Sequence, residues 1–289
     1  MALQVEVAVR GADRLGECPL WDERAAMLWW VDSRWPAVKR LDPATGAVMM
    51  LVLPEIVGSI ALRQAGGLLA ATKSGLHCLD PASGALEAKV DPEKHLPDNR
   101  FNDGRCDRAG RLWAGTMSDV NRDPVGSLYR VDADFQCTKL RNAIIIPNSL
   151  AFSPDGRSMY FADTNRHTLW AYDYDPASGA ATHERVFADT GKGRPDGSCV
   201  DADGCLWNAD YGASRVVRYT PAGKVDRAVD LPVTNPTCCC FGGADLGTLY
   251  VTTATQRLAP EELAKQPLAG SLLALRPGVQ GLAESRFAG

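Results

Sequence analysis

Six times along the chain a short apolar run ends in a tight-turn signal and is followed by a run of small or polar residues, a loop, and a further strand-like run closing in D-P or P-x-G. Clear copies are "GGLLAATKSGLHCLDPASGAL" from residue 66, "GRSMYFADTNRHTLWAYDYDPASGA" from 156 and "GCLWNADYGASRVVRYTPAGKV" from 204. Aligning the units on Glu17, Ser59, Asn102, Asn148, Asp196 and Thr237 gives spacings of 42, 43, 46, 48 and 41 residues. A period of about 40 to 50 residues with four short strands per unit is that of a β-propeller blade. A parallel α/β fold would need amphipathic helices between the strands, and only "APEELAKQPL" at 259–268 reads as one. The expected fold is all-β: a six-bladed propeller of four-stranded antiparallel blades around a central channel, one domain over 1–289.

Composition sets the outer limits. With 45% hydrophobic and 23% charged residues the chain can bury a packed core. Its net charge of −4, and the lack of Lys/Arg runs with interleaved aromatics, argue against a nucleic-acid partner. The N-terminus lacks the basic and apolar regions of a signal peptide, and the longest apolar run, "AVMMLVL" at 47–53, is far too short to span a membrane. A cytoplasmic protein without membrane contact is expected. The nine cysteines are odd in number and contain no C-x-x-C pair, so they read as reduced, mostly buried small residues.

Two Asp-Gly pairs lie seven residues apart, Asp196-Gly197 and Asp203-Gly204. Asp203-Gly204 in "DADGCLW" takes the place of "DRAGRLW" at 107 and "ADLGTLY" at 244, the hairpin between a blade's first two strands, and is expected only to turn the chain. Asp196 instead opens an innermost strand. In a propeller the starts of these strands ring one end of the channel, and here the ring is Glu17, Ser59, Asn102 with Asp103, Asn148, Asp196 and Thr237. Its carboxylate and amide oxygens suit a hard or borderline divalent cation. The plainer alternative is that polar residues at strand starts bond to turn backbones. No nucleophile elbow, H-E-x-x-H or phosphate loop is present, and His77, His95, His167 and His183 fall in outer strands or loops.

The stretches "LGECPLW", "NRFNDGRCDRAGRLWAGTM", "PNSLAFSPDG", "PDGSCVDADGCLW" and "LPVTNPTCCCFGG" resemble the regucalcin and gluconolactonase family of six-bladed propellers, from about residue 14 to the end. The resemblance implies one divalent metal (Ca²⁺, Zn²⁺, Mn²⁺ or Mg²⁺) bound by Glu17, Asn148 and Asp196, with Arg100 and Asn102 as substrate contacts. Regucalcin-like members carry a further acid shortly after G-T-M. In "GTMSDV" Val120 aligns with that acid, and Asp119 lies one residue earlier.

The expected activity is hydrolysis of a small-molecule sugar lactone to an aldonic acid, with Asp196 as general base. Two carboxylates facing a dication leave little net charge, which suits a neutral lactone better than a phosphorylated one. The alternatives are hydrolysis of another ester or phosphotriester, and a calcium-binding propeller without turnover.

Overall fold

A computed structural model describes residues 3–191 and 193–289. Its strands form six four-stranded antiparallel sheets arranged as the blades of a propeller. Blades 1 to 5 are each a continuous stretch of chain: 16–52, 57–90, 99–144, 147–189 and 194–230. Blade 6 takes three strands from 236–275, and its outermost strand is Val5–Val9 from the other end of the chain, paired antiparallel with Leu272–Leu275. The repeat in the sequence thus corresponds to six blades, with the last shared between the two ends.

The burial of each strand follows from its place in the blade. The innermost strand of blade 2, Val57–Leu62, is buried along its whole length, because neighbouring blades cover both its faces. The outermost strand of blade 1, Val48–Val52, alternates exposed and half-buried residues, with one face in water. The apolar residues collect in six clusters, one for each contact between adjacent blades. Trp29, Val31 and Ile60 lie between blades 1 and 2, for example, and Trp207, Cys239 and Val251 between blades 5 and 6. All nine cysteines are free and eight are buried. Burial raises the thiol pKa of Cys18 to about 12.

The hairpins repeat one device. Asp201 accepts the backbone N–H groups of Asp203 (3.0 Å) and Cys205 (2.9 Å) on Oδ1, and Trp207 Nε1 (2.8 Å) and Arg218 Nε (2.8 Å) on Oδ2. Asp107 holds the matching turn of blade 3 through the N–H groups of Ala109 and Arg111. Asp203 lies in this turn, largely exposed and paired with Arg218, and Gly204 supplies the left-handed φ of +81°. The helix expected over 259–268 is one turn, Pro260–Leu263. Pro267 cannot donate the backbone hydrogen bond that a continued helix needs. No helix among the described residues is long and apolar enough to cross a membrane.

From residue 280 onward the chain crosses the end of the channel opposite the ring of strand starts. It bonds to blade 6 through Gly281 N–H to Leu246 O (2.8 Å), to blade 2 through Phe287 N–H to Leu62 O (2.7 Å), and to blade 3 through Ala288 N–H to Gly110 O (2.9 Å). Glu284 pairs with the buried Arg105, and Arg286 with Asp22. Phe287 is fully buried among Leu69, Leu112 and Phe135. Phe287→Ala should therefore cost about 3–5 kcal/mol in chemical denaturation, whereas Val120→Ser, at a side chain 73% exposed, should stay within about 0.5 kcal/mol.

Candidate active site

All six innermost strands break register with their neighbour near the same end of the channel. The shifts fall between Glu17 and Leu20, Val57 and Ser59, Phe101 and Gly104, Asn148 and Ala151, Pro195 and Ser198, and Pro236 and Cys238. A bulge bends its strand and re-aims the side chains beside it. In blades 1 and 4 the residue after the polar side chain is left-handed, Cys18 at φ 48° and Ser149 at φ 59°. In blade 5 that residue is Gly197, where a Cβ would fall 2.2 Å from Cys238 Sγ.

Glu17, Arg100, Asn102, Asn148 and Asp196 come together in the lining of one cleft. The other ring residues do not line it. Asp103 accepts the Leu150 N–H (2.9 Å) and ties blade 3 to blade 4; Thr237 donates to Gly16 O and ties blade 6 to blade 1; Ser59 is buried without a hydrogen-bond partner. For Asp103 and Thr237 the plainer expectation holds, since each is spent on backbone. None of the four histidines lines the cleft.

A chain of hydrogen bonds fixes the orientation of the two amides. Thr164 donates its hydroxyl to Pro195 O (2.8 Å), so it can only accept from Asn148 Nδ2 (2.7 Å). This turns Asn148 Oδ1 the other way, where it accepts from Asn102 Nδ2 (3.1 Å). Asn102 Nδ2 also donates to Pro147 O (2.9 Å), and its Oδ1 accepts from Arg100 Nη1 (2.8 Å). Asp196 Oδ1 is buried without a hydrogen-bond partner among the described residues. Burial raises the pKa of Glu17 and of Asp196 well above the usual carboxylate range, and the charges of Asp196 and Asp103 raise Glu17 further.

An orphaned buried carboxylate oxygen, a second carboxylate that its neighbours' negative charges disfavour, and an inward-turned amide oxygen form an all-oxygen donor set that a divalent cation would satisfy. The residues present therefore fit such an ion. With one amide in the trio, it differs from a cluster of three or more His, Cys, Asp or Glu placed to share a metal, of which none occurs among the described residues.

Arg100 is held rather than free. Its Nε donates to Asp119 Oδ1 (2.8 Å) and its Nη1 to Phe101 O (2.8 Å) as well as to Asn102. Asp119 in turn receives both arms of Arg34, at 2.9 and 2.6 Å. Asp119 thus lies behind Arg100, outside the cleft lining, and Val120 points to solvent.

The ring of strand starts omits several lining residues: Met117, Arg122, Thr164, Tyr211, Gln256 and Arg257. These come from the ends of second strands and the loops after them. In an antiparallel hairpin the end of the second strand lies beside the start of the first, so the same alignment read one strand further would have reached Met117, Thr164 and Tyr211, though not the loop arginines. Arg194, two residues before Asp196, also lines the cleft. Four arginines against two carboxylates make the lining electropositive, and the expected near-neutral site does not hold for the cleft as a whole.

Burial alone would raise Asp119, but hydrogen bonds and charge from Arg34 and Arg100 prevail and hold it at about 2. Its contribution to stability is complete above the ordinary value of 3.8 and is lost as pH falls through about 2. Asp119→Asn should therefore lower the unfolding midpoint at pH 6, and the gap to the parent should close as both are denatured between pH 4 and 2. A gap independent of pH would mean that charge is not what Asp119 contributes.

Comparison with known proteins agrees with this geometry. The SMP-30/Gluconolactonase/LRE-like region matches residues 15–255. The chain is 40% identical to a 6-deoxy-6-sulfogluconolactonase of Pseudomonas putida, covering 99% of each, and 37% identical to the regucalcin of Xenopus laevis, covering all of this chain and 99% of that one. Among solved structures, a calcium-binding protein, regucalcin, from Agrobacterium tumefaciens superposes with a TM-score of 0.95 at 34% identity, over 99% of this chain and 98% of that one. The protein belongs to the SMP-30/gluconolactonase/LRE-like family of six-bladed propellers.

Proposed function

We propose that the protein is a metal-dependent sugar lactonase that opens aldonolactones to aldonic acids. The observation that carries this reading is the unpartnered Asp196 Oδ1, buried beside Glu17 and the inward-turned Asn148 oxygen at the floor of a cleft whose wall presents Arg100. The lactone class is supported by the name of the Pseudomonas putida relative, and a bound cation by that of the Agrobacterium tumefaciens neighbour.

Glu17, Asn148 and Asp196 would hold the cation, and their oxygens accept Ca²⁺, Mg²⁺, Mn²⁺ or Zn²⁺. When bound, a divalent ion supplies polarisation of the lactone carbonyl and a lowered pKa for a nearby water. Asp196, with Oδ1 in the candidate cation set, would serve through its other oxygen as general base toward a water beside the lactone carbonyl. Arg100 Nη2 makes no hydrogen bond among the described residues and is available to a substrate oxygen. Asn102 Oδ1 keeps a second lone pair for a substrate hydroxyl, while its amide nitrogen holds Asn148. Asp119 acts through Arg100, fixing the guanidinium that faces the ring.

The second reading, a calcium-binding propeller without turnover, draws on the same neighbour's name. The two separate on acid release from a panel of aldonolactones in a pH-stat. Asp196→Ala should lower kcat by about 10²- to 10⁴-fold with the fold intact. Asp203→Ala, which removes one exposed partner of Arg218, should cost less than about 1 kcal/mol of stability and retain most turnover. Equal loss of turnover in the two folded variants would defeat the assignment of Asp196.

The metal is tested by exhaustive chelation, which should remove activity reversibly while the circular dichroism of the propeller persists. Glu17→Gln keeps size and removes a charge, and should weaken cation binding in a direct titration. Full activity after chelation, or unchanged binding in Glu17→Gln, would rule out the metal site.

A further inference from the structure

The mouth of the cleft carries positive charge that the proposed hydrolysis does not use. Arg122 comes from the loop after the second strand of blade 3, Arg257 from the corresponding loop of blade 6, and Arg194 from the innermost strand of blade 5; all three line the cleft. Arg100 is matched by Asp119, which Arg34 also grips, but none of these three pairs with a carboxylate among the described residues. Among the described residues, the one hydrogen bond of the Arg122 side chain is to Met117 Sδ, at 3.4 Å. The carboxylates in the lining are Glu17 and Asp196, both on the floor and both in the candidate cation set, so any bound dication increases the excess.

Two of the three arginines are placed at a cost to the backbone. Arg122 has φ 61° and Arg257 φ 64°, in the left-handed region that non-glycine residues seldom occupy. Neither side chain is spent on a partner that would explain the conformation. Burial, followed by repulsion from Arg100, Arg257 and Arg34, lowers Arg122 to about 10, as expected where guanidinium groups face one another without a counter-ion.

We propose that Arg122, Arg194 and Arg257 form an anion subsite at the cleft mouth that takes an ionised acid group of the substrate, at the end of a sugar lactone remote from its carbonyl. The proposal rests on the lactonase reading for the other end of the cleft. The shared chemistry is a compact oxyanion, whether sulfonate, phosphate or carboxylate, because guanidinium forks from three blades can bond to several oxygens of one such group. The subsite orients the lactone with its carbonyl toward Asp196, and its field draws an anionic substrate into a protein whose net charge is −4.

The test compares kcat/KM for neutral glucono-δ-lactone with its 6-sulfo and 6-phospho forms and with a lactone of glucaric acid, in the parent and in Arg122→Gln and Arg257→Gln. Gln, like Arg, is a non-glycine residue, so these changes remove charge without relieving the left-handed backbone. The parent should prefer at least one anionic lactone, and which one identifies the acid group. In the variants the ratio of anionic to neutral kcat/KM should fall about tenfold or more, chiefly through KM, and the preference should weaken with added salt. Hydrolysis of the neutral lactone as fast as all three anionic ones, or a ratio that neither variant moves, would overturn the subsite while leaving the lactonase reading standing.

If no lactone is turned over, the lactonase reading fails, and calorimetric titration with 6-phosphogluconate against gluconate still decides the subsite. At least tenfold tighter binding of 6-phosphogluconate, reduced in both variants, supports it; equal affinity overturns it.

Discussion

Nothing in this fold is stable blade by blade. A four-stranded sheet buried on both faces needs a neighbour on each side, and the six apolar clusters lie between blades rather than within them. Such an arrangement has no natural end, so the ring must close on itself. Closure comes from the pairing of Val5–Val9 with Leu272–Leu275, which joins the two ends of the chain in one sheet. A ring left open would expose the apolar faces of blades 1 and 6 and an unpaired strand edge.

Closure is also what makes a site possible. The inner strands converge on one axis, and bulges near the same end of it turn polar groups inward from blades 1, 3, 4 and 5. Residues between 17 and 196 thereby meet at one point while each stands on a rigid strand. The amides are aligned from outside that point. Thr164 sets Asn148, which sets Asn102, and Asp119 with Arg34 sets Arg100. The groups facing the cleft are thus held before any ligand arrives, the condition for electrostatic stabilisation without reorganisation.

The period of the repeat made the number of blades legible, and the strand starts brought Glu17, Asn102, Asn148 and Asp196 to one end of the channel, because position in the repeat fixes height on the axis. It does not fix direction. Thr237 occupies the equivalent position and Asp103 the one after it, yet both bond to the backbone of neighbouring blades, and only the detailed twist at each bulge separates the two outcomes. Arg122 and Arg257 were beyond reach for a different reason. They lie in loops without periodicity, and what aims them is a left-handed backbone that no residue-type pattern announces outside glycine. The expected helix at 259–268 failed at Pro267, where the polar and apolar spacing suggested a helix that the missing N–H forbids.

The segment lying across the far end of the channel has a kinetic meaning. With Glu284 joined to Arg105 and Phe287 locked between blades 2 and 3, the axis is a blind well and not a pore. Whatever enters past the arginines must turn round and leave past them. On the proposed lactonase reading, a product that gains a carboxylate on ring opening would leave past Arg122, Arg194 and Arg257, so the charge that hastens arrival would also slow escape.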